Sequence, residues 1–277
     1  MKFVKMHGTG NDFIVIDARG LRRDWAKLAL KWCDRHFGIG SDGLLLVLPS
    51  RRADFRMRMF NPDGSEAEIC GNGIRCFAKY AIDHGLTGKN NINVETLAGI
   101  KHIKTISRNG QVQQVRVNMG APRLQPGEIP VRGEFTTFPI VDYPLSVAGR
   151  TLFLTFVNMG NPHAVTFIDE PVEQFPLAEI GPQVERHPLF PKRTNFEIVN
   201  VKGKGQLQAR VWERGAGLTL SCGSGACAVA VAARLKEYTK DKVDITLPGG
   251  TLGLEWSGEG DVFLTGPAVE VFEGEWK

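Results

Sequence analysis

The sequence predicts an α+β protein of two pseudo-symmetric, homologous domains, each a mostly antiparallel sheet or barrel wrapped around one central helix. Three observations support this prediction: an internal repeat with an offset of about 150 residues, short runs of alternating polarity, and one apolar helical segment in each half. The chain has 277 residues, a length typical of two domains. The repeat is far too long for a solenoid, so it indicates duplication of a whole domain.

The internal repeat is clearest at Cys70-Gly71-Asn72-Gly73, which returns as Cys222-Gly223-Ser224-Gly225. Four further pairs of segments follow in the same order: 10–13 with 160–163, 43–47 with 195–199, 59–61 with 211–213, and 96–99 with 246–249. The repeat predicts a first domain over residues 1–120 and a second over 121–267. The alternating residues 268–277 are predicted to form a strand that completes the first domain.

The first half illustrates the elements expected in both. Alternating or apolar runs predict strands, and helical spacing of the apolar residues predicts helices. The predicted elements are strands at Phe3–Met6 and Phe13–Asp17, a helix at Trp25–His36, and strands at Leu44–Leu48 and Phe55–Phe60.

A second helix is predicted to begin at Gly71 in the first half. Ile74, Phe77 and Ala78 start a stripe with helical spacing, and Gly85 ends it. The corresponding segment 226–233 is apolar on every side, so this helix is expected to be buried at the centre of its domain.

Composition excludes several classes of protein. The net charge of +4, with both signs spread along the chain, does not suit a nucleic-acid binder. No apolar run approaches the roughly 18 residues of a membrane span, and the N-terminus has no signal-like apolar core, so a cytoplasmic protein is expected. Five cysteines in a chain of this length argue against a disulfide framework.

Motifs for cofactors are absent as well. Residues 38–43 have the glycine spacing of a dinucleotide-binding loop but lie between a helix and a strand, the wrong order. Residues 33–36 include metal-ligand types but have no second pair at zinc spacing. The sequence therefore predicts no metal and no cofactor.

The duplicated cysteines, Cys70 and Cys222, are the candidates for chemistry. A helix start offers unpaired N–H groups and a partial positive charge, which lower the pKa of a thiol and attract a carboxylate. Such a pair suits stereoinversion, in which a proton is removed from one face of a Cα atom and a proton is returned to the opposite face. This reaction needs a base and an acid, and two thiols can supply both in either direction. The remaining cysteines, Cys33, Cys76 and Cys227, are expected to fill the core.

At these residues the sequence resembles the diaminopimelate epimerase family over nearly the whole chain. The motifs that carry the resemblance are residues 7–13, 60–66, 70–76, 158–163 and 213–217 leading to 222–225. The family interconverts LL- and meso-2,6-diaminopimelate without a cofactor, on the route to lysine and peptidoglycan. The resemblance implies the same substrate for this chain, and a cytoplasmic homodimer.

The resemblance also implies roles for individual residues. Cys70 and Cys222 are the expected acid–base pair, with His163 and Glu213 adjusting the thiols. The residues expected to bind substrate are Gly71, Asn72, Gly223 and Ser224 at the α-carboxylate and Asn11, Asn61, Asn161, Asn195 and Arg214 around the rest of the molecule. Without the resemblance, the asparagines would be interpreted as turn formers and His163 as a turn residue.

Two positions depart from the family pattern. Many members have Gln at the position of Gly43, where it joins the substrate pocket, so that contact is absent here. Phe272 falls where many members have Tyr at the dimer contact. The phenyl ring still supplies a packing surface there, whereas a hydroxyl hydrogen bond is lost.

Three other functions remain open from the sequence. A related two-cysteine racemase would act on proline, hydroxyproline or histidine, although Arg214 and Glu213 suit a substrate with a charged far end. A Cys–His acyl-transfer enzyme would use one cysteine with His163 and leave the other unexplained. A duplicated binding module would need neither thiol.

Overall fold

In the computed structural model, which describes all residues from Met1 to Lys277, the chain divides into two compact units. Unit 1 comprises Met1–Asn118 and Thr265–Lys277, and unit 2 comprises Met119–Leu264. Each unit combines β-strands with two helices. The predicted α+β class and mostly antiparallel character are confirmed.

Unit 1 contains the elements at both ends of the chain. They are β1 (Lys2–Gly8), β2 (Asn11–Asp17), α1 (Trp25–Trp32), β3 (Gly43–Leu48), β4 (Phe55–Phe60), β5 (Glu66–Ala67), α2 (Gly71–Asp83), β6 (Asn91–Thr96), β7 (Gly99–Arg108), β8 (Gln111–Gly120), which reaches the unit boundary, and the C-terminal strand β18 (Val269–Glu275).

Unit 2 contains the remaining elements. They are β9 (Tyr143–Val147), β10 (Arg150–Asn158), β11 (Pro162–Phe167), α3 (Leu177–Glu185), β12 (Asn195–Gly203), β13 (Gln206–Glu213), β14 (Gly217–Thr219), α4 (Gly223–Leu235), β15 (Lys242–Leu247), β16 (Gly250–Glu255) and β17 (Val262–Gly266), which reaches the unit boundary.

The two units share one order of strand pairing. In unit 1, β18, β1, β2, β3, β4, β6 and β7 are neighbours in that order, and in unit 2 the order is β9, β10, β11, β12, β13, β15 and β16. The third and fifth pairings are parallel in both units, and the others are antiparallel. The C-terminal strand β18 thus occupies in unit 1 the place that β9 occupies in unit 2.

Helices α2 and α4 lie against the inner faces of their sheets. Along α2, Ile74, Phe77, Ala78 and Ala81 of the predicted stripe are fully buried, and Ile82 at its end is half-buried. Every residue of α4 from Gly225 to Ala233 is buried, as its uniformly apolar sequence predicts. No helix in the structure has the length and apolar character needed to cross a membrane.

One predicted boundary is wrong. The helix expected over Trp25–His36 ends at Trp32, with Cys33 as its C-cap. The Asp34 carboxylate accepts hydrogen bonds from the backbone N–H groups of His36 and Phe37 at 2.7 and 2.8 Å, and these bonds hold a turn where a further helical turn was expected. The other predicted elements of the first half lie where the pattern places them.

Candidate active site

The two repeated cysteines occupy equivalent positions at the starts of α2 and α4. Each is the N-cap residue in an extended conformation, with φ −136° and ψ 119° for Cys70 and φ −125° and ψ 115° for Cys222. In each case the backbone N–H three residues later, of Gly73 or Gly225, donates to the cysteine Sγ at 3.4 Å. A thiol therefore stands where a serine or aspartate usually caps a helix.

Glycine stands three residues after each cysteine, at a point where the first turn of the helix is tightly enclosed. A Cβ built on Gly225 would lie 2.9 Å from the Glu197 carboxylate and 3.2 Å from the Cys222 Cβ. A Cβ on Gly73 would lie 3.3 Å from Leu45 and 3.4 Å from the Cys70 Cβ. Close packing at this turn explains why both copies of the motif keep glycine three residues after the cysteine.

In unit 1, Asn11 lies beside Cys70. The Asn11 Oδ1 is 3.6 Å from the Cys70 Sγ and accepts a hydrogen bond from the Asn72 Nδ2 at 3.4 Å. Its Nδ2 donates to an Asp42 carboxylate oxygen at 2.7 Å. The structure thus brings together three of the predicted site residues, and Asp42 fixes the amide of Asn11.

A buried arginine supports this helix start. The Arg75 guanidinium, fully buried, donates to the Gly71 carbonyl and the Asn72 Oδ1 at 3.0 Å, to the Thr9 Oγ1, and to the Pro267 carbonyl at 3.1 Å. Because it bonds to both residues after Cys70, Arg75 fixes the backbone that is expected to bind a carboxylate.

In unit 2, His163 and Glu197 lie under the start of α4. The His163 Nδ1 is 2.7 Å from the Glu197 Oε1, and the His163 Nε2 is 3.0 Å from the Asn161 Oδ1. The imidazole and the carboxylate are both almost completely buried. Burial raises the pKa of the Glu197 carboxyl, while the attraction of His163 opposes that rise.

The environment of Cys222 differs from the one predicted. The pKa of its thiol is raised well above the usual value, first by burial and then by the negative charges of Glu213 and Glu197. Hydrogen bonds from Ser224 and from the Gly225 N–H act in the opposite direction. The hydrogen bond from the first turn of α4 thus favours the thiolate, but burial and the two carboxylates outweigh it.

Three other predicted residues surround the end of β13. The Asn195 side chain donates to the Pro162 carbonyl and accepts from the Arg214 backbone N–H, both at 2.9 Å. The Glu213 carboxylate, half-buried, accepts a hydrogen bond from the Thr219 hydroxyl. Arg214 is exposed, and its guanidinium donates to the Lys192 carbonyl at 3.1 Å. Asn195 thus ties the turn that carries Arg214 to strand β12.

Asn61 and Gly43 belong to the sheet of unit 1. The Asn61 Nδ2 donates to the Ser65 Oγ at 2.9 Å, within the turn that follows β4. A Cβ on Gly43 would lie 3.0 Å from the Met59 Cε and 3.1 Å from the Phe60 carbonyl oxygen. Met59 and the Phe60 carbonyl therefore leave little room for a side chain at Gly43.

The remaining predicted residues lie outside these two clusters. Phe272 on β18 is 47% exposed and makes an edge contact with Phe3, their ring centroids 6.0 Å apart. Cys33, Cys76 and Cys227 are buried. Burial raises the pKa of the Cys76 thiol to about 12 and raises that of Cys33. These thiols have the buried surroundings of core residues.

One cluster of metal-ligand types lies in unit 1, at the end of α2. The donor atoms of His84, Glu270 and Glu273 are within 4.8 Å of one another. The imidazole is already engaged, since its Nε2 is 3.0 Å from the Glu270 carboxylate and its ring stacks on Tyr80 at 4.3 Å. These contacts account for the cluster without an ion.

Sequence reasoning assigned no role to Asp42, Arg75 or Glu197. Glu197 did leave a signal, because a glutamate stands among the apolar residues of 196–199, the segment that the repeat aligns with the apolar run 44–47. Arg75 left a similar one inside the stripe of α2. For Asp42, in a glycine-rich loop, the sequence has no such signal.

Solved structures with the same fold belong to several enzyme groups. A phenazine biosynthesis protein of the PhzF family from Bacillus anthracis matches with a TM-score of 0.70 and 18% identity, covering 100% of this chain and 99% of the other. A probable proline racemase from Agrobacterium radiobacter K84 matches with a TM-score of 0.70 and 14% identity, covering 100% and 92%. At these identities the likeness shows the fold alone.

The sequence comparisons are more specific. The chain is 52% identical to the diaminopimelate epimerase of Acetivibrio thermocellus, over 99% of this chain and 98% of the relative, and 52% identical to that of Moorella thermoacetica, over 100% and 99%. The diaminopimelate epimerase of Methanococcus maripaludis is 51% identical over 99% of both chains. The sequence model of this family matches residues 3–125 and 155–271. The chain therefore belongs to the diaminopimelate epimerase family.

Proposed function

We propose that the protein is an isomerase that interconverts LL- and meso-2,6-diaminopimelate, in the biosynthesis of lysine and peptidoglycan precursors. Similarity at about half identity along the whole chain to proteins named diaminopimelate epimerase supports this substrate. The observation that carries the chemistry is the duplicated helix start, with a thiol capping α2 in one unit and α4 in the other.

The reaction proposed is a two-base proton exchange. One cysteine, as the thiolate, takes the Cα proton and becomes a thiol, which leaves a carbanion stabilised by the adjacent carboxylate. The other cysteine, as the thiol, gives its proton to the opposite face of Cα and becomes the thiolate. Atoms and charge balance without an oxidant or a cofactor, and the two thiols have exchanged roles when product forms.

Backbone N–H groups are proposed to stabilise the developing charge. Gly71-Asn72 and Gly223-Ser224 begin helices, where unpaired N–H groups and the helix dipole favour an anion. As the proton leaves, negative charge moves onto the α-carboxylate, so these groups bind the transition state more tightly than the substrate.

The far end of the substrate distinguishes this proposal from a proline or hydroxyproline racemase. Diaminopimelate has a second amino acid group, and the exposed guanidinium of Arg214 suits a carboxylate. We propose that Asn11, Asn61, Asn161 and Asn195 bind the rest of the molecule. A homodimer in the cytoplasm is proposed as well, with Phe272 at its contact. The exposed apolar side chains of Val269, Val271 and Phe272 on β18 support such a contact.

The test is stereoinversion in heavy water. Protein dialysed against EDTA and free of pyridoxal phosphate is incubated with LL-diaminopimelate, and chiral chromatography with mass spectrometry follows meso product and deuterium at Cα. We expect turnover without any addition, and a loss of at least about a hundredfold in Cys70→Ser and in Cys222→Ser. Cys33→Ser, at a buried core thiol, is the matched control.

Other outcomes would contradict the proposal. Activity that disappears on dialysis and returns with a metal or with pyridoxal phosphate would exclude a cofactor-independent reaction. Racemisation of proline in place of diaminopimelate would favour the rival racemase. Full activity of both cysteine variants would exclude the two-thiol mechanism.

A further inference from the structure

Two ionisable side chains are buried beneath the start of α4, one on each of two adjacent parallel strands. His163 is on β11 and Glu197 is on β12, and the Nδ1 of the first is 2.7 Å from the Oε1 of the second. The same carboxylate oxygen would be 2.9 Å from a Cβ at Gly225. Glu197 therefore touches both the imidazole and the first turn of the helix that Cys222 caps.

The equivalent place in unit 1 is apolar. The register of β2 and β3 pairs Phe13 with Gly43, as β11 and β12 pair His163 with Asn195. By this register, Phe13 corresponds to His163 and Leu45 corresponds to Glu197. Leu45 indeed lies beneath Gly73, with its Cδ2 3.3 Å from a Cβ built there. The same pair of parallel strands thus places two apolar residues, Phe13 and Leu45, under the helix that Cys70 caps. In unit 2 it places an imidazole and a carboxylate, those of His163 and Glu197, under the helix that Cys222 caps.

Packing does not explain the glutamate. Its side chain is 2% exposed, and its Oε2 has no hydrogen-bond partner. Burying a carboxylate oxygen without a partner is unfavourable, and the apolar residue of unit 1 shows that this pair of strands folds without one. A charged group kept at such a cost is typical of a functional site.

The ionisable side chains around Cys222 come from three strands. Glu197 on β12 and Glu213 on β13 both act on the thiol as negative charges, and His163 on β11 is bonded to Glu197. On α4 itself, Ser224 and the Gly225 N–H are the polar groups at the sulfur. Both ring nitrogens of His163 face oxygen atoms, of Glu197 and of Asn161, so the orientation of the ring is fixed.

We propose that Glu197 is a positioning residue that makes the two cysteines unequal, by fixing the His163 ring and by placing a carboxylate beneath the first turn of the helix that Cys222 caps. In the free enzyme Cys222 is then the thiol that donates a proton. This consequence rests on the proposed function, whereas the electrostatic effect on the sulfur is independent of turnover.

The experiment measures the ionisation of each thiol separately. Full-length protein is treated with iodoacetamide across a pH series, and peptide mass spectrometry gives the rate of alkylation of each cysteine and the pH at its midpoint. Glu197→Gln removes the charge and keeps the shape, and Glu197→Leu copies the residue of unit 1. Glu170→Gln, which removes an exposed carboxylate paired with Arg150, is the control.

The sign of the shift follows from the lost charge. A neighbouring carboxylate opposes the thiolate, so its removal lowers the midpoint of Cys222, by about one pH unit or more, and leaves that of Cys70 unchanged. The pH profile of kcat/KM shifts in the same direction. An unchanged midpoint at Cys222, an upward shift, or an equal shift at both cysteines would overturn the proposal.

A second measurement does not depend on the folding of a Glu197 variant. In Cys70→Ser protein with Glu197 intact, Cys222 should alkylate with a midpoint above the ordinary thiol value of about 8.5. A midpoint at or below that value would overturn the inference. Failure of the proposed function is recognised separately, since it would leave the wild-type protein without epimerase activity whatever the alkylation midpoints.

Discussion

We propose that the choice of substrate depends on Arg214. It is exposed, and the turn that carries it is anchored by the hydrogen bond from its backbone N–H to Asn195. Its guanidinium presents a planar pair of donors, which a lysine cannot reproduce. Because the anchor is in the backbone, a change of side chain should alter recognition and leave the turn in place.

Arg214→Lys is therefore expected to lower kcat/KM for diaminopimelate by at least about tenfold, since a charged hydrogen bond contributes roughly 1.5–3 kcal/mol. Steady-state kinetics with LL-diaminopimelate measures the effect. Arg193→Lys, at a nearby arginine paired with Glu185, is the matched control and should retain wild-type kinetics. Equal kcat/KM values of the two variants would exclude Arg214 as the group that binds the far carboxylate of the substrate.

The atoms around Gly43 explain why this position has no side chain. A Cβ there would meet the Met59 methyl at 3.0 Å and the Phe60 carbonyl at 3.1 Å, and only the first of these can move easily. Gly43→Ala is expected to destabilise the protein by about 1–3 kcal/mol, as overpacking does. Urea unfolding measures the difference. Gly88→Ala, at a glycine with open space around it, should be neutral or slightly stabilising, and a similar result for Gly43→Ala would contradict this reading.

At the scale of elements, the two helices capped by cysteine, α2 and α4, differ in how much room their first turns have. In Gly225→Ala the added Cβ would press on the Glu197 carboxylate and on Cys222. In Gly73→Ala it would meet the end of the Leu45 side chain. We expect Gly225→Ala to lose about 1–3 kcal/mol more than Gly73→Ala in urea unfolding. Equal losses would show that the two turns tolerate a side chain alike.

The sequence predicted these elements well where one pattern decided them. The uniformly apolar sequence of α4 and the apolar stripe of α2 predicted both helices. The internal repeat identified the cysteine at the start of each. The predicted end of α1 was wrong because the Asp34 carboxylate accepts hydrogen bonds from the backbone N–H groups of His36 and Phe37. Apolar spacing does not reveal this competition between a side chain and the helix.

The environment of the site was harder to predict than its members. Whether a helix start lowers the pKa of Cys222 depends on burial and on the charges of Glu213 on β13 and Glu197 on β12. Asp42 reaches Asn11 across 31 residues, and Glu197 reaches His163 across 34. Pairing of strands creates these contacts, and no local pattern contains them.

At the scale of the whole molecule, the last ten residues complete the first unit. Strand β18 pairs with β1 from Lys2↔Glu275 to His7↔Val269, and Trp276 packs on Trp32 with ring centroids 5.7 Å apart. In unit 2 the corresponding strand, β9, precedes β10 directly along the chain. The first unit therefore includes a strand that lies beyond the second unit in the sequence, whereas the strands of the second unit are continuous in the chain.

Deletion of residues 268–277 should thus act on the units unequally. Unit 1 loses one of the two strands that pair with β1 and the ring that packs on Trp32, while all the strand pairings of β9 to β16 remain. Hydrogen exchange followed by mass spectrometry is expected to show faster exchange in β1, β2 and α1, and unchanged protection in α4 and β12. Trp276→Ala, which removes one ring and keeps the strand, should have a smaller effect confined to α1 and β1. Equal loss of protection in both units would mean that they unfold as one cooperative body, and unchanged protection in unit 1 would mean that β18 is dispensable.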